Sequence, residues 1–160
     1  MSDDHAKGAK QIIENNIYMT IATATKDGKP WVSPVFFAYD DKYNLYWVSN
    51  KAALHSKLIR DNGRVAIVIF DSSAPEGEAD GVYVEANAKE LTNTSEQKKV
   101  MNLLNKRMTV EKFQIDDDDV AEEGVWRLYK ATPVKITKLL PEGQYVNGQY
   151  IDERTEVKLT

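Results

Sequence analysis

The chain has 160 residues, 42% of them apolar and 29% charged, the texture of one folded domain with its own core. It contains no cysteine, which excludes disulfides, thiolate catalysis and cysteine-based zinc sites. Net charge is −4, and the run Asp116-Asp117-Asp118-Asp119 accounts for all of it, so no basic surface points to nucleic acid. No apolar run approaches the roughly 18 residues that span a bilayer, so no membrane contact is expected. Met1 to His5 hold no basic segment leading into an apolar one. A secretory leader is therefore not expected, and a cytoplasmic location is.

Along the chain, Ala6 to Asn15 is predicted as a short helix carrying Ile12 and Ile13. Tyr18 to Thr25 is β-prone and closes on the Asp27-Gly28 turn. Trp31 to Tyr39 and Leu45 to Ser49 follow as strands, and the short connections predict an antiparallel meander. Asn50 is expected to cap a helix over Lys51 to Asn62, which Gly63 stops. Val65 to Phe70 is apolar without alternation, which predicts a strand covered on both faces. Val82 to about Leu91 is read as a strand and Ser95 to Met108 as a helix. Val125 to Lys130 and Val134 to Leu140 are two further strands, and Asn147-Gly148 marks a hairpin between Tyr145-Val146 and Tyr150-Ile151. The sum is a single domain over 1–160, of α+β class and mainly β. Its core spans about 10–140, and residues 141–160 form a hairpin and tail. A closed or partly closed barrel would hide so many strand edges.

Side-chain chemistry is sparse. His5 and His55 are the only histidines, so neither a histidine-rich metal site nor a Cys-His pair can be built, and no Gly-x-Ser-x-Gly elbow occurs. The acidic run at 116–119 lacks the interleaved glycine of a calcium loop and reads as a solvated segment. Difficult chemistry would belong to a bound cofactor. Two places could hold one. The junction from Ser49 to Lys57 sets polar side chains and three bases, Lys51, His55 and Lys57, around a helix start, where free N–H groups favour a phosphate. The alternative is a capped helix with exposed bases. Pro34 cannot donate to a ladder, so it implies an edge, a bulge or an interrupted pairing near Trp31 and Trp47. Backbone groups freed there could bond a heteroaromatic ligand, and plain barrel core is the alternative.

The ordered series Trp31-Val32-Ser33-Pro34-Val35-Phe36-Phe37-Ala38-Tyr39-Asp40, Leu45-Tyr46-Trp47-Val48-Ser49, His55-Ser56-Lys57-Leu58-Ile59 and Asn62-Gly63-Arg64-Val65-Ala66 resembles the pyridoxamine 5'-phosphate oxidase-like, FMN-binding split-barrel family. Phe70-Asp71-Ser72, Gly81 to Glu85 and Arg127 to Pro133 continue the match over roughly residues 10–140. The resemblance implies an antiparallel split β-barrel with flanking helices, and a homodimer holding FMN at the subunit interface. It also implies flavin contacts at Val32, Ser33, Pro34 and Val35, with Trp47, Val48 and Ser49 beside them and His55, Ser56 and Lys57 at the phosphate. The implied activity is electron transfer between a reduced donor and a small acceptor, or flavin binding without turnover. Two positions depart from the family pattern. Leu54 stands where members carry an arginine, and Arg127-Leu128 is followed by Tyr129 where the true oxidase has histidine. The oxidase's characteristic C-terminal segment has no counterpart in the sequence either.

Overall fold

A computed structural model describes residues 2–140, 144–151 and 153–160. The helices are α1 (Ser2–Asn15), α2 (Leu54–Asn62) and α3 (Thr94–Arg107), with a short 3-10 turn at Glu111–Phe113. The strands are β1 (Tyr18–Ala24), β2 (Pro30–Phe36), β3 (Ala38–Tyr39), β4 (Leu45–Asn50), β5 (Arg64–Phe70), β6 (Gly81–Glu90), β7 (Trp126–Leu139), β8 (Gln144–Val146), β9 (Gln149–Ile151) and β10 (Arg154–Glu156). All described pairings are antiparallel. The main sheet runs β2-β1-β5-β6-β7-β4-β3, with β10 added on β7, while β8 and β9 form a separate hairpin. Asn147 (φ 52) and Gly148 (φ 77) make that hairpin's turn, the left-handed pair that an Asn-Gly sequence favours.

β2 and β3 are consecutive in the chain, parted only by Phe37, yet they stand at opposite ends of the strand order. The sheet therefore curls round on itself, and its seam opens where β2 leaves β4. This is the split barrel with flanking helices that the family resemblance implies, mainly β with three helices.

The strands sort the core into two clusters. Met19, Ile21, Val35, Phe37, Leu45, Trp47, Ile67, Val84 and Tyr129 fill the barrel, closed at its ends by Ala9 and Ile13 of α1 and by Val157 and Leu159. Tyr46, Leu91 and Leu128 face outward under Val100, Met101 and Leu104 of α3. Adjacent β4 residues thus serve opposite cores, as the two-residue strand period requires. α3 is capped by Asn93, whose side chain accepts the Glu96 N–H at 3.0 Å.

Two expectations are corrected. The second helix begins at Leu54, with Ala53 rather than Asn50 as its N-cap. Asn50 ends β4 and turns the chain, its Oδ1 accepting the Ala52 N–H at 2.8 Å, so Lys51 lies outside the helix and shares no helical face with His55. The two strands expected at 125–130 and 134–140 are one strand. Pro133 is tolerated because the ladder slips by a residue beside it, Glu85 pairing Lys135 while Ala86 pairs Pro133, and because β4 pairs β7 only as far as Ala131. β5 buries one face within this chain, through Val65, Ile67 and Ile69, and leaves Ala66 and Phe70 exposed on the other.

Trp47 is fully buried and stacks on Tyr129, with ring centroids 5.5 Å apart and planes 16° apart. Truncating such a residue removes about 3–5 kcal/mol, so Trp47→Ala should show that loss in urea unfolding. Trp31→Ala, at a position 45% exposed, should lose far less.

Candidate functional site

The seam is the place in the fold where backbone hydrogen-bonding groups are left over. β3 pairs β4 only through Ala38 with Tyr46 and Tyr39 with Leu45. Had that register continued, Phe36 would lie opposite Val48 and Pro34 opposite Asn50. Pro34 has no N–H to offer, and the ladder stops. Alternation then fixes which groups face the opening. The Phe37 N–H donates to Ile17 O at 3.1 Å, so odd-numbered β2 residues bond β1, and the backbone groups of Val32, Pro34 and Phe36 turn to the seam. The Lys51 N–H donates to Val125 O at 2.8 Å, which in the same way turns those of Val48 and Asn50 to it.

Beyond the end of β4 lies the start of α2. Its N-cap Ala53 makes no side-chain bond, so the first-turn N–H groups at Leu54, His55 and Ser56 have no side-chain acceptor. A capping side chain there would ordinarily stabilise a helix by about 1 kcal/mol. Its absence leaves a positive helix end with free donors. His55 is half-buried, and its Nε2 lies 2.8 Å from Ser49 Oγ. Lys57 and Leu54 are exposed, while Ser56 is fully buried, its Oγ beside the Tyr129 hydroxyl but with no hydrogen bond of ordinary geometry.

On the outer face, Val48, Met108, Phe113, Ile115 and Trp126 wall a cleft of about 290 Å³. A second cleft of about 350 Å³, floored by Tyr18 and Phe36, shares Met108 and Phe113 with it. The two lie on either side of the seam, since Val48 and Phe36 are its facing residues. Asn105 fixes the Ile115 wall of the first cleft, its amide donating to Ile115 O and accepting the Ile115 N–H, each at 2.8 Å.

The residues singled out from sequence divide accordingly. Val32 and Pro34 are exposed on β2, Ser33 is half-buried, and Val48 reaches the outer cleft. The side chains of Val35 and Trp47 point into the barrel, Ser49 is engaged with His55, and Ser56 is enclosed. The backbone groups of Val35 bond β1 and those of Trp47 and Ser49 bond β7, so these three turn neither side chain nor backbone to the seam, and Ser56 offers only its first-turn N–H. Sequence reasoning missed Met108, Phe113 and Trp126. The exposure of Phe113 (62%) and Trp126 (42%) is legible only once the 108–126 segment is folded over β4. The Asp116–Asp119 run serves its own turn, Asp116 Oδ1 accepting the N–H groups of Asp118 and Asp119. Among the described residues no helix is long and apolar enough to cross a membrane.

The family described as pyridoxamine 5'-phosphate oxidase matches residues 6–137, and the chain belongs to it. A curated relative, UPF0306 protein PM1958 of Pasteurella multocida (strain Pm70), is 27% identical over 78 residues, which are 48% of this chain and 52% of that protein. The chain thus matches about half the length of this curated relative. Among solved structures, a candidate 5-nitroimidazole antibiotic resistance protein from Bacteroides thetaiotaomicron VPI-5482 superposes with a TM-score of 0.69 at 15% identity, covering 82% of this chain and 81% of that one. HutZ, the heme storage protein of Vibrio cholerae, superposes with a TM-score of 0.64 at 18% identity, covering 79% and 88%. At these identities the likeness is one of fold.

Burial holds the His55 imidazole below its ordinary value. The folded chain therefore favours neutral His55, while the unfolded chain takes up a proton near pH 6.5. The resulting stability is present above that pH and is lost as pH falls toward the lowered folded value. Going from about pH 7.5 to about pH 5.5 should lower the melting temperature of the wild type more than that of His55→Gln.

Proposed function

We propose that the chain binds FMN between two copies of itself and acts as a flavin-dependent oxidoreductase, passing electrons between a reduced donor and a small-molecule acceptor. The observation that carries this reading is the seam. Two unpaired strand edges meet an uncapped helix start beside aromatic-walled clefts, in a chain of this family. The phosphate would take the free N–H groups at the start of α2, with Lys57 and Lys51 adding charge. Backbone groups of Val32, Pro34, Phe36 and Val48 are of the kind that bond the polar edge of a heteroaromatic ring. Val48, Phe113 and Trp126 offer it apolar walls of the size and character of small-molecule sites. When bound, the flavin supplies the transfer of two electrons. This chain's residues would bind it, orient its ring and keep water from it.

The substrate of the namesake oxidase is not part of the reading. Tyr129 is fully buried against Trp47, and Arg127 is spent on the backbone carbonyls of Ala121, Glu122, Gly124 and Trp126 and on Glu90. Neither is free to grip a substrate. A flavin-binding protein without turnover would use the same site, and oxidation of NADH or NADPH by the FMN-loaded protein separates the two. The heme-storing relative raises heme as a rival ligand. The residues fit it less well, because His55, the histidine near the seam, has its Nε2 held by Ser49.

Flavin fluorescence quenching tests the assignment. The wild type should retain FMN after desalting and retain hemin poorly. Leu54→Arg should tighten FMN about tenfold, the scale of one added charge-assisted contact. Ser56→Ala should leave affinity unchanged, since its hydroxyl is enclosed. Tight hemin binding without FMN binding overturns the reading.

The dimer is part of the same proposal. The outer face of β2, β1 and β5 carries Val32, Phe36, Tyr18, Ala66, Val68 and Phe70, with Val32 and Tyr18 each 57% exposed and Phe70 43%. A contiguous apolar sheet face of this kind is an interface signature. Sedimentation should report a dimer, and Phe70→Asp should dissociate it and weaken FMN. A wild-type monomer that holds stoichiometric FMN sinks the shared site.

A further inference from the structure

Glu90, the last residue of β6, does more than pair with Arg127. Its carboxylate meets two arginines, one at each oxygen: Arg60 Nη1 stands 3.3 Å from Oε2 and Arg127 Nε 3.4 Å from Oε1. Each arginine then reaches a different loop. Arg60, near the end of α2, donates from Nη2 to Lys51 O at 2.8 Å. Arg127 donates to the carbonyls of Ala121, Glu122 and Gly124 at 2.8–3.1 Å. The two loops are joined directly, since the Lys51 N–H donates to Val125 O at 2.8 Å. The contacts close a ring from Glu90 through Arg60, Lys51 and the 121–125 loop back to Arg127. Loop 121–124 is tightly folded within it, because a side chain at Gly124 would lie 2.6 Å from Asp119 O.

The ring has a consequence for α2. Asn50 closes the turn onto α2, its Oδ1 accepting the Ala52 N–H at 2.8 Å and its O the Ala53 N–H at 3.0 Å, and this turn sits where Lys51 is held. Both backbone groups of Lys51 are held by this ring. We propose that Glu90 is a positioning residue for the anion end of the site. By pinning Arg60 and Arg127 it sets where the free N–H groups of Leu54, His55 and Ser56 lie, without touching the ligand itself. The inference rests on the FMN reading for its ligand but not for its geometry. The Arg60 contact to Tyr129 Oη, 3.3 Å from Nη1, adds a tether to the barrel interior.

Glu90→Gln keeps the shape and removes the charge that holds both arginines. Arg60→Lys keeps a cation near the phosphate but loses the planar fork that spans Lys51 O and Glu90. For each variant, affinity is measured for FMN and for riboflavin, which lacks the phosphate, alongside amide hydrogen exchange over residues 51–56. The expected result is an FMN affinity about tenfold lower with riboflavin unchanged, and faster exchange at Lys51 to Ala53. A change that falls equally on FMN and riboflavin, or tighter FMN binding, overturns the proposal. So does unaltered exchange at 51–53 in folded variants, and this arm reads even if the wild type binds no flavin. That last outcome would count against the proposed function alone.

Discussion

Everything distinctive about this molecule depends on one stretch of chain being asked to supply both edges of a sheet. β2 pairs β1 and β3 pairs β4, and only Phe37 separates them. A sheet whose two ends are covalently continuous must curl, and a curled sheet can close fully only if the ladder between its ends is complete. Here it fails after Ala38 and Tyr46, at a strand that carries Pro34. The consequence is a barrel with a lasting opening instead of a sealed core. Unpaired strand edges are a liability when exposed, because they invite pairing with other chains. A short, twisted edge interrupted by proline and facing the barrel's own α2 offers no such template, so backbone groups remain available without inviting aggregation.

The opening is held apart by packing on both sides of β4. Trp47 anchors the strand inward on Tyr129, and Tyr46 anchors it outward among Leu128 and the α3 residues. The Tyr46 hydroxyl also donates to Asp40 Oδ2 at 2.8 Å, and Asp40 in turn accepts the Lys42 and Asn44 N–H groups. β4 thus cannot drift toward β2 to complete the ladder without unstacking two buried aromatics and breaking the turn before it. Not every group in this packing is content: the Trp47 indole N–H and the Ser56 hydroxyl are buried without partners. An unmet buried donor costs about 1–3 kcal/mol.

The sequence made the strands legible where alternation and turns agreed. Asp27-Gly28 and Asn147-Gly148 mark turns that exist, and Pro34 announces an edge because a missing N–H has nowhere else to go. It misled where two locally reasonable signals competed. Asn50 is a good cap by type, but its side chain is taken by an Asx turn four residues before the helix, which leaves Ala53 at the cap. Pro133 looked like a strand break, and a register slip opposite Glu85 and Ala86 absorbs it. The seam was legible through Pro34, and the walls of the clefts beside it were not. Val32 to Val35 and Trp47 to Ser49 could be flagged from pattern, whereas Phe113 and Trp126 come from a loop and a strand end with no local signal of what they face.

The charges around α2 follow from the same economy. The cationic groups nearest the helix start divide into those that are held and those that are free. Arg60 and Arg127 are tied to Glu90 and to backbone carbonyls, so their guanidiniums are already satisfied. Lys57 is exposed, with no carboxylate partner among the described residues. A rigid guanidinium fork suits a fixed structural bridge and a flexible ammonium suits a ligand that comes and goes. On the proposed reading, arginine is spent on the framework and an exposed lysine is left free for an exchangeable anion. It also accounts for how a chain with leucine at position 54 can keep a positive helix end: the positive character comes from oriented N–H groups that the arginine bridges hold in place, and needs no guanidinium at the ligand itself.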